Sequence, residues 1–340
     1  MMLKEIIVDD YGISLSKKSE RMVLRKNGKV IAEYAIKELN DLVISSKCGA
    51  VSISLLEELI QNGTQIHFVD YREEPFVTIY TPAHHGSVRG RREQLLSFFD
   101  ERSVELSKRL IHAKIQNQIN VLKYFLKSRK ATKGSQKIES SIVSMKNYLQ
   151  KLSEITGMNI DEVRQNILTL EAHAAKQYWK CIQIVLSDKW PFPSRNKNSN
   201  DEVNMMLNYG YAILRSRISS SILRAGLEPY AGFIHIDRSG RPSLVLDVME
   251  IFRPAIVDRV VISLVTRGYQ PKLDKMEDGS LFLDINTLNT LRTHLLKRFE
   301  KRDDYRGKKF MIKTIIQLQT RELASYFRNG TPFKGYIARW

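Results

Sequence analysis

The chain has 340 residues, with 54 Lys and Arg against 37 Asp and Glu, and two cysteines. The length predicts two domains with separate cores. Cys48 and Cys181 form no Cys-x-x-Cys pair, which excludes a disulfide framework and a thiolate zinc site and fits a reducing cytoplasm. No apolar run approaches the roughly 18 residues of a membrane span, and Met1–Glu5 lacks a leader pattern, so a soluble cytoplasmic protein is expected.

In chain order, Glu5–Val8, Gly12–Ser16, Arg21–Arg25, Lys29–Tyr34, Asp41–Ser45, Gln65–Asp70 and Phe76–Tyr80 alternate or run β-branched and predict strands. Asn27-Gly28 predicts a tight hairpin turn, and Ser52–Gln61 a helix capped by Ser52 and stopped by Gly63. The first domain, 1–85, is therefore expected to be small and mainly antiparallel β, with Cys48 in its core. "TPAHHGSVRGRR", Thr81–Arg92, breaks the periodicity, and a linker is placed at 86–94. His84 and His85 belong to that break, since adjacent histidines rarely face one ion.

Apolar spacing of three and four then predicts helices near 93–128, 138–154, 160–185, 200–226, 244–268, 286–302 and 308–328. A β-hairpin at Lys275–Ile285 interrupts them, and Cys181 falls among core positions. The fold class is thus α+β: a small β domain followed by a larger all-α domain, 95–340. Charge divides the same way, with 10 basic and 12 acidic residues in 1–85 but 44 and 25 in 86–340. Gly86–Lys137 alone holds 13 basic and 4 acidic side chains. That imbalance points to a polyanion, and to nucleic acid over an anionic membrane, because no strongly amphipathic anchor helix is present.

Against this background the acids of "GFIHIDRSGRPSLVLDVMEIFRP", Gly232–Pro254, stand out. Phe233–Asp237 alternates like a short strand, and Ser243 is placed to cap a helix bearing Asp247 and Glu250 on one face. Pro254 should kink that helix at Glu250. One imidazole with carboxylates is a ligand set for Mg²⁺ or Mn²⁺; a hydrogen-bonded core histidine fits the same spacing. Upstream, Glu171 shares a helix face with Ala175 and Tyr178, with Ala174 beside them, amid enough apolar neighbours to predict a buried carboxylate that needs a partner.

"LEAHAAKQYW", "VNMMLNYGYAIL", "AGLEPYAGFIH" and "GRPSLVLDVMEIFRP", together with "LVISSKCGAVSISLLEELIQNGTQIHFVD" in the first domain, resemble the CRISPR-associated integrase of spacer acquisition, the Cas-one family. The resemblance implies a helical catalytic domain with a metal held by Glu171, His235 and Glu250, Asp247 being the neighbouring acid. It further implies that Asn204, Asn208, Tyr209 and Tyr178 border the pocket. One run departs from it: Ser194–Asn200 reads "SRNKNSN" where relatives are often proline-rich. By the same resemblance the activity is joining of a spacer DNA 3′-OH to a repeat array by transesterification, and cleavage of branched DNA in the reverse sense, with one strong Mg²⁺ or Mn²⁺ site. Its implied partners are duplex DNA, a second copy through the β domain, and a dimer of the small Cas-two protein bridging two such homodimers. Two rivals remain: an architectural DNA-binding protein, which predicts no metal-dependent turnover, and a general metal nuclease, indifferent to the donor 3′-OH.

Overall fold

A computed structural model of the chain describes residues 4–70, 75–79, 88–127, 134–275 and 279–339. It divides into two compact units between Gly86 and Ser87; His84 and His85 fall outside the described residues.

The first unit is two four-stranded sheets and a helix. Strands β2 (Ile13–Lys18), β3 (Arg21–Lys26) and β4 (Lys29–Ala35) form an antiparallel meander, extended by the short β6 (Ala50–Val51), which runs parallel to β2. The β3–β4 turn is made by Asn27 and Gly28 at φ 51° and 75°, the paired positive angles that an Asn-Gly turn accommodates. In the second sheet, β1 (Lys4–Val8), β5 (Leu39–Ser45) and β7 (Gln65–Val69) are parallel, and β8 (Pro75–Ile79) returns antiparallel. This parallel pairing was not foreseen, because alternation shows that a segment is a strand but not which distant strand it meets. Helix α1 (Ile53–Gln61) makes the β6-to-β7 connection; Ser52 Oγ accepts from Leu55 N–H, and Leu55 and Leu59 enter the core with Leu42, Ile44 and Ile66. Cys48 is half-buried rather than fully enclosed, and Cys181 of the second unit is buried as expected.

The second unit is mostly helical. The segment expected as a linker is already helix α2 (Val88–Leu96), whose Gln94 is buried and bonded through its amide to Glu228 and Ala231 carbonyls. Helix α3 (Glu101–Leu126) starts where Asp100 turns extended and accepts from Arg102 N–H, which splits the single helix expected over 93–128. Around α3 pack α4 (Ser135–Glu154), α5 (Ile160–Leu186) and α7 (Ser243–Arg253). Helix α6 (Glu202–Arg224) begins at the Asp201 cap and packs against α7. Beyond α7, Pro254–Asp258 winds as one π-helical turn into α8 (Arg259–Thr266), the Arg259 N–H reaching back five residues to the Pro254 carbonyl. Helix α7 continues through Glu250 to Arg253, and the irregularity that Pro254 brings is this wider π-turn on its C-terminal side.

Strands β9 (Leu273–Lys275) and β10 (Leu281–Leu283) form the expected hairpin, followed by α9 (Ile285–Glu300). A second hairpin, β11 (Arg302–Tyr305) with β12 (Lys308–Met311), turns at Arg306 and Gly307 and occupies the start of the helix expected at 308, so the domain is not all-α. Helix α10 (Ile312–Asn329) stops at left-handed Gly330. The chain then runs back across α3, where Asn117 Nδ2 donates to the carbonyls of Tyr336 and of Ile251 on α7. That one amide ties three segments together beside Glu250.

Candidate active site

Three elements bring charge to one place. Glu171 lies midway along α5, Glu250 in the last turn of α7, and Lys114 on α3 between them. The Lys114 ammonium contacts Glu171 Oε1 and stands 2.5 Å from Glu250 Oε2, while Arg253 Nη1 lies 2.7 Å from Glu250 Oε1. Glu250 is 4% exposed. Burial opposes its charge, but Arg253 and Lys114 outweigh it and His235 adds to their effect, so its pKa is pulled down to about 2. Burial likewise opposes the charge on Lys114, and Glu250 and Glu171 overcome it and raise its pKa.

Asp247, one helical turn before Glu250, is fully buried and does different work. Its Oδ2 accepts from the backbone N–H of Phe233 at 2.6 Å and of Ile234 at 3.1 Å; its Oδ1 accepts from His235 N–H at 3.0 Å and from His235 Nδ1 at 2.6 Å. The expected strand at Phe233–Asp237 is therefore a loop, whose N–H groups meet a carboxylate in place of a neighbouring strand. A carboxylate oxygen accepts here, so Nδ1 carries a proton, and in the neutral ring Nε2 is the nitrogen whose lone pair a ligand needs. The loop approaches α7 closely: a Cβ at Gly232 would stand 2.7 Å from the Ser243 carbonyl carbon. Ser243 is buried inside the first turn and makes no cap bond, correcting its expected role. Asp237 points to solvent and takes no part.

The expected pocket residues have structural partners. Asn204 and Asn208 hold the Ser194–Asn200 loop: Arg195 Nη1 and Nη2 donate to their side-chain oxygens at 2.8 and 2.7 Å, and their amides donate to the Ser194 and Lys197 carbonyls. Those bonds shape the departing "SRNKNSN" run without proline. Arg195 and Arg253 lie 5.4 and 4.9 Å from the Tyr211 ring centre, so the loop connects to Glu250 through one aromatic ring. Tyr178 is fully buried and donates to Asp258 Oδ2 at 3.0 Å, as Tyr211 does to Oδ1 at 2.5 Å. Tyr209 packs partly buried at the edge of the helical core.

Sequence reasoning missed Lys114, Arg253, Tyr211 and Asp258. The proline marked the π-turn holding Asp258; nothing local marked the others. Burial raises the Asp258 pKa to about 6 despite its tyrosine bonds. The folded protein keeps that proton up to about pH 6, whereas an unperturbed aspartate releases it near 3.8. Stability should then fall as pH rises between those values, by up to about 1.4 kcal/mol per pH unit. Urea unfolding of Asp258→Asn should lack this part of the slope; an unchanged slope would place the proton elsewhere.

Among the described residues no three carboxylate, imidazole or thiol groups are assembled to hold a metal ion as they stand. The donors themselves suit a hard divalent cation. Glu171 and Glu250 already share one cation, the Lys114 ammonium, and the His235 ring is held through Nδ1 by Asp247, which leaves Nε2 as its donor atom toward a metal.

A β-rich unit ahead of a helical unit carrying this Glu, His and Glu set defines the class. The family model for CRISPR associated protein Cas1 matches residues 6–301, and the chain belongs to that family. It is 33% identical over 346 residues to CRISPR-associated endonuclease Cas1 1 of Archaeoglobus fulgidus, covering 98% of this chain and 99% of that protein. Among solved structures, a casposase bound to integration product superposes with a TM-score of 0.80 at 23% identity, covering 98% of this chain and 94% of that one. A chain of a Cas6-RT-Cas1–Cas2 complex gives 0.79 at 16% identity, covering 100% of this chain and 36% of that one. Among the described residues no helix is long and apolar enough to cross a membrane.

Proposed function

We propose that this protein is a metal-dependent DNA integrase and endonuclease of CRISPR adaptation. The observation that carries the reading is the meeting of Glu171 and Glu250, 79 positions apart in the sequence, on one cation beside a histidine held through its Nδ1 by Asp247. The names of the relatives agree with it: an endonuclease in one case, a casposase holding integration product in another. Glu171, His235 Nε2 and Glu250 would hold one Mg²⁺ or Mn²⁺ ion, which when bound polarises a phosphate oxygen and stabilises developing charge.

The chain's own residues do the rest. Asp247 fixes the imidazole, Arg253 holds the second oxygen of Glu250, and the basic excess of residues 86–340 binds the phosphate backbone. Joining is transesterification: a donor 3′-oxygen bonds to phosphorus as one phosphodiester P–O bond breaks. No protein nucleophile is required. In the first unit, exposed Val30 and Ile31 on edge strand β4 and Phe76 and Val77 on edge strand β8 suit contacts with protein. They support a homodimer, with a Cas2 dimer as bridging partner.

A duplex ending in 3′-OH should be joined to a repeat-containing target when Mn²⁺ is present, and a 3′-deoxy duplex should not. Equal product from both ends would leave a nuclease without integrase activity, and turnover in chelator would exclude the metal.

A further inference from the structure

The placement of Lys114 points to a role beyond packing. Its Nζ is 2.5 Å from Glu250 Oε2 and also in contact with Glu171 Oε1. That separation lies within the roughly 2.3–2.6 Å at which a hard divalent ion such as Ca²⁺ meets a carboxylate oxygen, and a few tenths of an ångström beyond the roughly 2.0–2.1 Å of Mg²⁺. The side chain is 13% exposed, and α3 is held in register with α7 by the Asn117 bond to the Ile251 carbonyl, one residue past Glu250. The groups around it are Glu171 and Glu250, with Arg253 on the far oxygen of Glu250 and the Asp247-bound imidazole of His235 close by. An ammonium and a divalent ion cannot both occupy the space between those oxygens.

Resting on the metal-binding reading above, we infer that Lys114 is a tethered counter-ion of the site. It keeps the two carboxylates together in the metal-free protein and sets the affinity for the divalent ion by competing with it. Removing the ammonium leaves two carboxylates facing each other in a poorly solvated place, so the metal-free form is weakened and an incoming ion gains more. Lys114 is thereby a positioning residue, acting on the two glutamates.

Mn²⁺ binding followed by electron paramagnetic resonance, with thermal unfolding of the full chain with and without Mn²⁺, tests this without any activity assay. Lys114→Gln should unfold several degrees lower than wild type when metal-free, bind Mn²⁺ about tenfold tighter, and gain more from Mn²⁺ in its midpoint. Adding Glu171→Gln to Lys114→Gln should restore the metal-free midpoint, which separates charge repulsion from lost packing and serves if the single variant does not fold. Saturable Mn²⁺ binding of equal affinity in wild type and Lys114→Gln overturns the role of Lys114 alone, as does a double variant no more stable than the single one. No saturable binding in either protein overturns the metal-site reading itself.

Discussion

Glu171→Ala should lower strand joining and branched-DNA cleavage by at least about 10²–10³-fold, the scale for loss of one group that stabilises transition-state charge. Affinity for a short duplex should stay close to wild type. The two readouts separate because they rest on different residues. Affinity comes from the many Lys and Arg of residues 86–340, where one glutamate is a small part of the field. In the proposed mechanism, chemistry rests on Glu171, one of the two carboxylates that the Lys114 ammonium joins. Joining assays over a Mn²⁺ series, beside fluorescence anisotropy with the same duplex, measure both. Turnover at the wild-type rate in Glu171→Ala would sink the assignment, and affinity lost in parallel with turnover would make Glu171 a scaffold residue.

The second large effect belongs to Asp247. Asp247→Ala should destabilise the protein by about 3–5 kcal/mol, since it leaves the Phe233, Ile234 and His235 N–H groups without their carboxylate acceptor in or beside a buried loop, and unpaired buried donors cost about 1–3 kcal/mol each. Asp247→Asn is the sharper test. The amide keeps the shape but replaces one acceptor oxygen with a donor, so it cannot hold all three N–H groups and the imidazole together. Activity should drop by about 10–100-fold with a milder loss of stability, as when the outer partner of a ligating histidine is removed. Chemical denaturation and the joining assay, run on both variants, check the pair of effects. If Asp247→Asn keeps full activity, Asp247 does not set the orientation of His235.

Most helices of the second unit were legible because burying one stripe imposes a period of three to four on any sequence. The same logic misled at Phe233–Asp237. Its burial does not alternate, since Phe233 and Ile234 are both buried and Ile236 is exposed, and Asp247 rather than a strand satisfies its first N–H groups. The β11–β12 hairpin escaped because its strands are charged and carry no alternation, leaving Arg306-Gly307 as the sole cue. Lys114 escaped for a deeper reason. It is 57 residues from Glu171 in sequence, and an ion pair between helices imposes no local period.

By itself the sequence determined most of the helical segments, the charge contrast between the two units, and the identity of the acids and histidine worth following. These are local or additive properties, carried by neighbours along the chain or by a sum over it. Only the tertiary structure decided that Asp247 orients His235 while Glu171 and Glu250 share a cation, that Asn204 and Asn208 serve the Arg195 loop, and that β1, β5 and β7 lie parallel. Each of those depends on which distant surfaces exclude water together, and that choice is made by packing the whole domain rather than by any stretch of it.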